Sequence, residues 1–366
     1  MSNASSSPFS IRISSPTAAT ALSMAAGGLA PGEWTDFEEG KNTVSRSLDI
    51  QWNTVTMYYD EARRELQYMG KPASSQSRDH RHYIYDEASN RWRTTGHSLF
   101  PGTGHIWSTA FDPINGNYYF HRWTDDFVWI MDRAVEAGRG EAADPWRRTS
   151  SQTDPELGGS NAGPVCALCW HPNLFGAGRP GLVNYGQLRL FAWNPAIDRW
   201  SLMDRYGSGS PYWAHRAGQG VFLPSSNQAI LGTGRDNGQA MPLIWVDAGA
   251  GEVTSAISAG AVGIAGEPPL TVRGTGGTTN SARFLLHPND PTRLLMLETF
   301  GSSRVWVSAD AGASWDLQNY THPFNNLPAD SRGMWTCGSV PPYGVIWAMT
   351  SRGNGDGASR LWKPES

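Results

Sequence analysis

The sequence predicts an all-β chain closed into a ring of six four-stranded units, and three observations predict it. The first is composition: 17 Trp and 41 Gly in 366 residues with only 17% charged residues, which suits many short strands joined by tight turns. The second is a pair of interleaved repeats. Apolar runs meet at a corner, often Asp-Pro or His-Pro, at Asp60, Asp112, His171, Leu223, His287 and Pro341, in steps of 52, 59, 52, 64 and 54 residues. Between corners, an aromatic strand, a polar turn and a Trp recur at Trp92, Trp146, Trp200 and Trp315. The third is the fit of the two chain ends. The last unit stops after a third strand, SRLWKPE at 359–365, while PGEWTDFEEG at 31–40 has the fourth-strand pattern, with Trp34 in the repeated position.

Residues 1–30 fit no unit, being dominated by Ser, Ala, Thr and Gly. One helix is expected there, N-capped by Ser15, with Pro16 at the first helical position and Gly27 at its end. Such a segment buries too little apolar surface to fold alone, so it is read as an extended arm for docking or assembly. Residues 31–366 form the ring domain. Residues 31–40 then close the last unit and remove an open sheet edge.

In each unit, strands one and two flank the corner, and strands three and four flank the aromatic turn. The first unit reads TMYYDEARRELQYMG, then YIYDEASNRW. The second carries Asn115-Gly116, a dipeptide suited to tight hairpins because Gly accepts positive φ. The third is ALCWHPNLFGAGRPGLVNYG with LRLFAWNPAIDRW. The fourth, GVFLPSSNQAILGTG, is followed by a weaker copy, PLIWVDAGAGEVTSAI, with Val253 in the Trp position. RFLLHPNDPTRLLMLETF opens the fifth and GSVPPYGVIWAMTS the sixth, where Asp356-Gly357 marks another turn. Four-stranded units recurring every ~50–60 residues are the blades of a β-propeller. A seven-bladed ring, with residues 252–282 contributing extra strands, is the alternative. Trp34, Trp92, Trp146 and Trp200 are assigned to blade packing, where one Trp buries up to ~250 Å².

YDEASNRW resembles the last two strands of a kelch-type blade, and SADAGASW at 308–315 resembles the S-x-D-x-G-x-x-W Asp-box of the bacterial neuraminidase repeat. The resemblance spans roughly residues 31 to 366 as architecture and implies a structural role for Asp310 and Trp315. Such propellers include enzymes, lectin-like binders and scaffolds, so it fixes no activity. An arm followed by a rigid β domain also resembles, in organisation, the virion proteins of tailed bacteriophages. That likeness implies a structural or receptor-facing role in tail or capsid, with other virion proteins as partners through residues 1–30 and a host surface glycan as ligand.

The formal charge of −4 offers no basic field for nucleic acid. No apolar run approaches the ~20 residues of a membrane helix, and the first residues lack the pattern of a signal peptide. The likeness to virion proteins implies the virion as the location, and no membrane insertion is expected. Cys166, Cys169 and Cys337 make no disulfide framework. Cys166, Cys169 and His171 suggest half a zinc site without a second half, and neither metal nor cofactor is expected.

Propeller ligands sit at the central funnel. Trp107, Trp213 and Trp335 lie near blade mouths and are the candidates for stacking on sugar rings. A non-enzymatic role is expected. The alternative is a carbohydrate-active enzyme, of polysaccharide lyase type, using His121, Arg122, Tyr212, His215 and Arg216. In it Arg neutralises a uronate carboxylate and His or Tyr takes the proton. A sialidase-like hydrolase would need an arginine triad and a Tyr–Glu pair; Glu298 and Tyr320 exist, but nothing in the sequence joins them. A kelch-type interaction scaffold is the third possibility.

Overall fold

The computed structural model describes residues 20–36, 48–49, 56–72, 81–89, 91–95, 106–122, 125–139, 145–154, 159–160, 165–186, 189–205, 216–234, 243–252, 262–265, 282–298, 305–318, 335–350 and 357–365. They form a six-bladed β-propeller: five four-stranded sheets and one five-stranded sheet. The predicted corners fall where inner strands end. Those strands are Tyr58–Asp60, Ile106–Asp112, Val165–His171, Arg216–Leu223, Ala282–His287 and Trp335–Val340, the last followed by Pro341. In blade one the inner edge is shared with Leu48–Asp49, which pairs with the far end of the second strand.

The corners explain why Asp and His alternate at one repeated position. Asp60 Oδ1 accepts the Arg63 amide at 3.1 Å, and Asp112 Oδ1 accepts that of Ile114 at 2.9 Å. His171 Nδ1 accepts the Asn173 amide at 3.0 Å, and His287 Nδ1 that of Asn289 at 3.3 Å. Both side chains thus satisfy a turn amide that would otherwise be orphaned. His171, read above as half a zinc site, spends one ring nitrogen this way. Gly116 takes φ 73°, as the Asn-Gly turn requires.

Successive residues along the middle strands enter opposite blade interfaces, following the period of two. Leu294 and Met296 pack with Leu223 and Ile230 of blade four, while Leu295 and Leu297 pack with Cys337, Val345 and Trp362 of blade six. Both faces are buried, so the run LLML at 294–297 is continuously apolar rather than alternating. The repeated Trp residues meet these seams differently. Trp200 donates its indole N–H to the Ser150 carbonyl of the preceding blade at 3.0 Å. Trp315 is buried against Phe284 and donates to the Gly312 carbonyl at 3.0 Å, in a turn where Asp310 Oδ1 accepts from Ser314 N and Ser308 Oγ, each at 2.8 Å. Trp146 lies edge-on to His82 and Phe120. The side chain of Trp92 lies outside the described residues.

The ring closes as the chain ends require. Trp34–Asp36 pairs antiparallel with the strand Gly357–Trp362, Trp34 opposite Trp362 and Thr35 opposite Leu361. The Arg360 guanidinium lies over the Trp34 ring at 4.2 Å. Ahead of this strand, the helix Ala21–Gly27 is capped by Thr20, not Ser15. It docks on its own propeller: Leu22 is fully buried in the seam of blades six, one and two. Thr20 Oγ1 donates to Glu87 at 2.5 Å, and Glu87 also receives Arg64, Tyr59 and Tyr343. One buried carboxylate therefore ties the helix to blades one and six.

Three features depart from the repeat. Blade four's outer strand is Val262–Ala265, not a segment following Val253, because a 3₁₀ turn at Ala250–Glu252 lengthens the hairpin. That strand completes the four-stranded sheet of blade four rather than seeding a seventh blade. Blade two carries a helix, Arg133–Arg139, between its third and fourth strands. A small ribbon, Thr153–Asp154 with Gly159–Ser160, separates blades two and three.

Burial pushes three histidines below their ordinary range: His82 to about 3, with Arg93 and Arg133 adding to it, His171 to about 4, and His287 in the same direction. Each folded value lies below the unfolded one, so under about pH 6.5 the unfolded chain takes protons the folded chain refuses. Stability should be full above that pH and fall as the pH drops, by up to about 1.4 kcal/mol per unit per histidine. At Glu87, burial pushes upward but the four hydrogen bonds outweigh it, so its contribution persists until the pH passes below 4.5. Melting temperature measured from about pH 7 to about pH 4 should fall steadily. A flat profile would show that these rings are not buried neutral.

Candidate functional site

The blades bring short groups of residues from distant parts of the chain to one place on the ring axis. The ends of the six inner strands and their corner turns enclose a half-open cavity of about 360 Å³. Blade one gives it Met57, Tyr58 and Tyr59, blade two Phe111, blade three Cys169 and Trp170, blade four Phe222, blade five Phe284 and blade six Ser339. Glu61, Pro113 and Pro224, exposed on corner turns, form its rim. A volume near 360 Å³ lies in the range of small-molecule sites.

Close approach of the inner strands shapes this wall. A Cβ on Gly220 would collide with the Cβ of Cys169 in the neighbouring blade, so only Gly permits that contact. Tyr58 and Phe111 stack at 5.6 Å across the seam of blades one and two. Behind them is a hydroxyl cluster. Tyr58 donates to the Thr109 carbonyl at 2.7 Å, Tyr118 donates to the Thr56 carbonyl at 3.0 Å, and the Thr56 amide donates to Thr109 Oγ1 at 3.1 Å. Burial pushes both phenols upward, which keeps them neutral donors. It also raises the Cys169 thiol, and the Cys337 thiol to about 12, so neither sulfur offers a thiolate.

The sequence-derived candidates sort by strand direction. Inner strands run toward the cavity, so their first residues lie at the opposite mouth. Trp107 is second in its strand, Trp335 and Arg216 are first in theirs, and Arg122 ends the strand paired with Ile106. Topology thus gathers these four at one end of the ring; their side chains, with Trp213, Tyr212 and His215 entirely, lie outside the described residues. His121 is fully buried on the second strand of blade two. A proton-abstracting base must reach its substrate, which this burial does not favour. Among the described residues no group of three or more His, Cys, Asp or Glu converges as a metal site.

The cavity wall was not legible as a site beforehand. Its aromatic residues carry the local signature of core strands, and only the closed ring turns their ends toward one axis. The signal available was the repeat itself, since one residue beside each corner reaches the wall.

No protein-family model matches the chain, and no curated protein matches it. Solved structures do resemble it. An auxiliary nutrient binding protein from Bacteroides thetaiotaomicron superposes with TM-score 0.55 at 10% identity, over 90% of this chain and 76% of that one. The Aleuria aurantia lectin, bound to alpha-methyl-L-fucoside, gives TM-score 0.50 at 10% identity, over 87% of this chain and 98% of that one. A Bacteroides thetaiotaomicron protein of unknown function gives TM-score 0.50 at 9% identity, over 90% and 72%. At such identities the likeness establishes the propeller fold alone. No helix among the described residues is long and apolar enough to cross a membrane.

Proposed function

We propose that the protein is a non-enzymatic carbohydrate-binding propeller whose site is the axial cavity, carried on a bacteriophage virion. The observation that carries the binding reading is the wall itself: Tyr58, Tyr59, Phe111, Trp170, Phe222 and Phe284 surround a space of about 360 Å³. Sugar rings present apolar faces that stack on aromatic side chains, and that volume takes one or two sugar units. The fucoside-bound lectin, a protein of similar fold, supports the reading that such a ring can serve a sugar ligand, and the nutrient binding protein is a second ligand-binding example of the fold. Support for the virion reading is organisation. A helix is anchored on the ring by Leu22 and Thr20, and this reading assigns residues 1–19, which precede it in the sequence, to assembly.

Screening the labelled full chain on a glycan array tests the binding reading. A specific glycan should be retained, and Phe222→Ala should weaken it about tenfold or more, since a buried aromatic contact is worth ~1–2 kcal/mol. Phe222 is half-buried at the wall, so the variant should keep its fold. An array with no retained glycan would remove this reading. Deleting residues 1–19, which spares the docked helix, should leave a folded monomer that no longer enters particles; continued incorporation would remove the virion reading.

A further inference from the structure

Arg283 stands one residue before Phe284, Leu285 and Leu286, which line the cavity; it is not itself a lining residue but lies one residue beneath the wall, within electrostatic reach of the lining Tyr58. The residue is only 3% exposed, and its Nε and Nη1 hydrogen-bond to nothing among the described residues. The ionisable groups within its electrostatic reach are Cys337, Tyr58 and Tyr118, from blades six, one and two. None is a carboxylate. Burial alone pushes the guanidinium down to about 10, which still leaves it charged at neutral pH. A buried cation without a counter-charge is strongly unfavourable unless something pairs with it. The other buried arginine among the described residues, Arg133, has such partners: it lies between Glu65 and Glu136.

Other polar groups of the wall are also unspent. Trp170 Nε1 and Ser339 Oγ, both on cavity-lining residues, have no hydrogen-bond partner among the described residues, and neither has Thr56 Oγ1 beside Met57. Indole and guanidinium N–H groups only donate. The acid on the wall, Glu61, sits exposed at the rim. Among the described residues, what this set lacks is an acceptor carrying negative charge at the inner end.

We propose that the axial cavity receives a carboxylate-bearing sugar, a uronic acid unit, whose carboxylate pairs with Arg283 while its ring lies on the aromatic wall. This rests on the reading of the cavity as a glycan site. Charge-assisted pairing to arginine is short, forked and selective for planar carboxylates. The uncharged amide of the same sugar would leave the guanidinium unpaired and so bind more weakly.

Two measurements on the full chain separate the carboxylate site from the glycan reading. In the first, sodium acetate should raise the melting temperature of the native protein above that in sodium chloride of equal ionic strength, and should not do so for Arg283→Met. In the second, calorimetry should find glucuronate bound at least tenfold more tightly than glucuronamide, with the ratio collapsing toward one in Arg283→Met and falling several-fold in Arg283→Lys. Without ligand, Arg283→Met should melt no lower than the native protein, since it removes an unpaired buried charge. Should it fail to fold, Arg283→Lys, which keeps the charge and loses the fork, still decides the ratio. Acetate acting no differently from chloride would overturn the carboxylate site. An acetate effect with neither sugar binding would sustain the carboxylate and remove the glycan. Equal affinity for acid and amide would keep the glycan and overturn the pairing with Arg283.

Discussion

Deleting residues 1–36 is expected to abolish the stable monomer: the truncated chain should be largely insoluble, or melt at least ~10 °C lower. The deletion strips blade six of its outer strand, and Leu361 and Trp362, now 0% and 2% exposed, lose their cover. An exposed apolar edge of this kind templates aggregation. It also removes Leu22 from a seam shared by three blades and Thr20 from Glu87. Leu→Ala at a fully buried site costs ~2–5 kcal/mol on its own, and a small domain has only ~5–15 kcal/mol to lose. Deletion of 1–19, which leaves all these contacts, provides the control. Comparable melting of the two truncations would mean that the strand and helix do not hold the ring shut.

Arg133→Met is expected to lower stability by roughly 3 kcal/mol or more, read as a shift in urea midpoint at unchanged slope. The Arg133 guanidinium reaches Glu65 through Nη2 and Nε, at 2.6 and 3.0 Å, and Glu136 through Nη1 at 2.6 Å. Arg93 completes the group by pairing with Glu136. Glu65, Glu136 and Arg133 are 5%, 1% and 7% exposed, so breaking the group strands buried carboxylates. Arg93 lies 3.9 Å from Glu65 and is about one-third exposed, which moderates the loss. The combined change of Glu65 and Glu136 to Leu with Arg133→Met should recover most of it, because no charge is then left unpaired. A combined variant no better than the single one would show that the network contributes through shape rather than charge. The network joins blade one to the Arg133–Arg139 helix of blade two, so the helix that interrupts the repeat also fastens a seam.

How much of this was legible beforehand follows from the range of each interaction. Blade order, corners and clasp came from local patterns. Turn chemistry acts over four residues, apolar runs mark strands buried on both faces, and a fixed interval marks a repeated unit. Blade four misled because its outer strand lacks the Trp and follows a 3₁₀ turn, so nothing local at Val262–Ala265 announces it. The helix start shifted to Thr20 because Ser23 completes a capping box there, each side chain bonding the other's amide. The search for a site favoured clusters close in sequence, such as His121-Arg122 and Tyr212–Arg216. The described cavity instead draws two to four residues from each of six segments some 50 residues apart.

By itself, then, the sequence determined a six-bladed ring and how it closes, because those depend on periodicity, turns and edges that neighbouring residues encode. Only the tertiary structure decided which aromatic residues border the axis, and that Arg283 is buried among phenols and a thiol rather than beside an acid. Burial and pairing of that kind are set by residues that meet only once the ring is shut, so no stretch of the chain carries them alone.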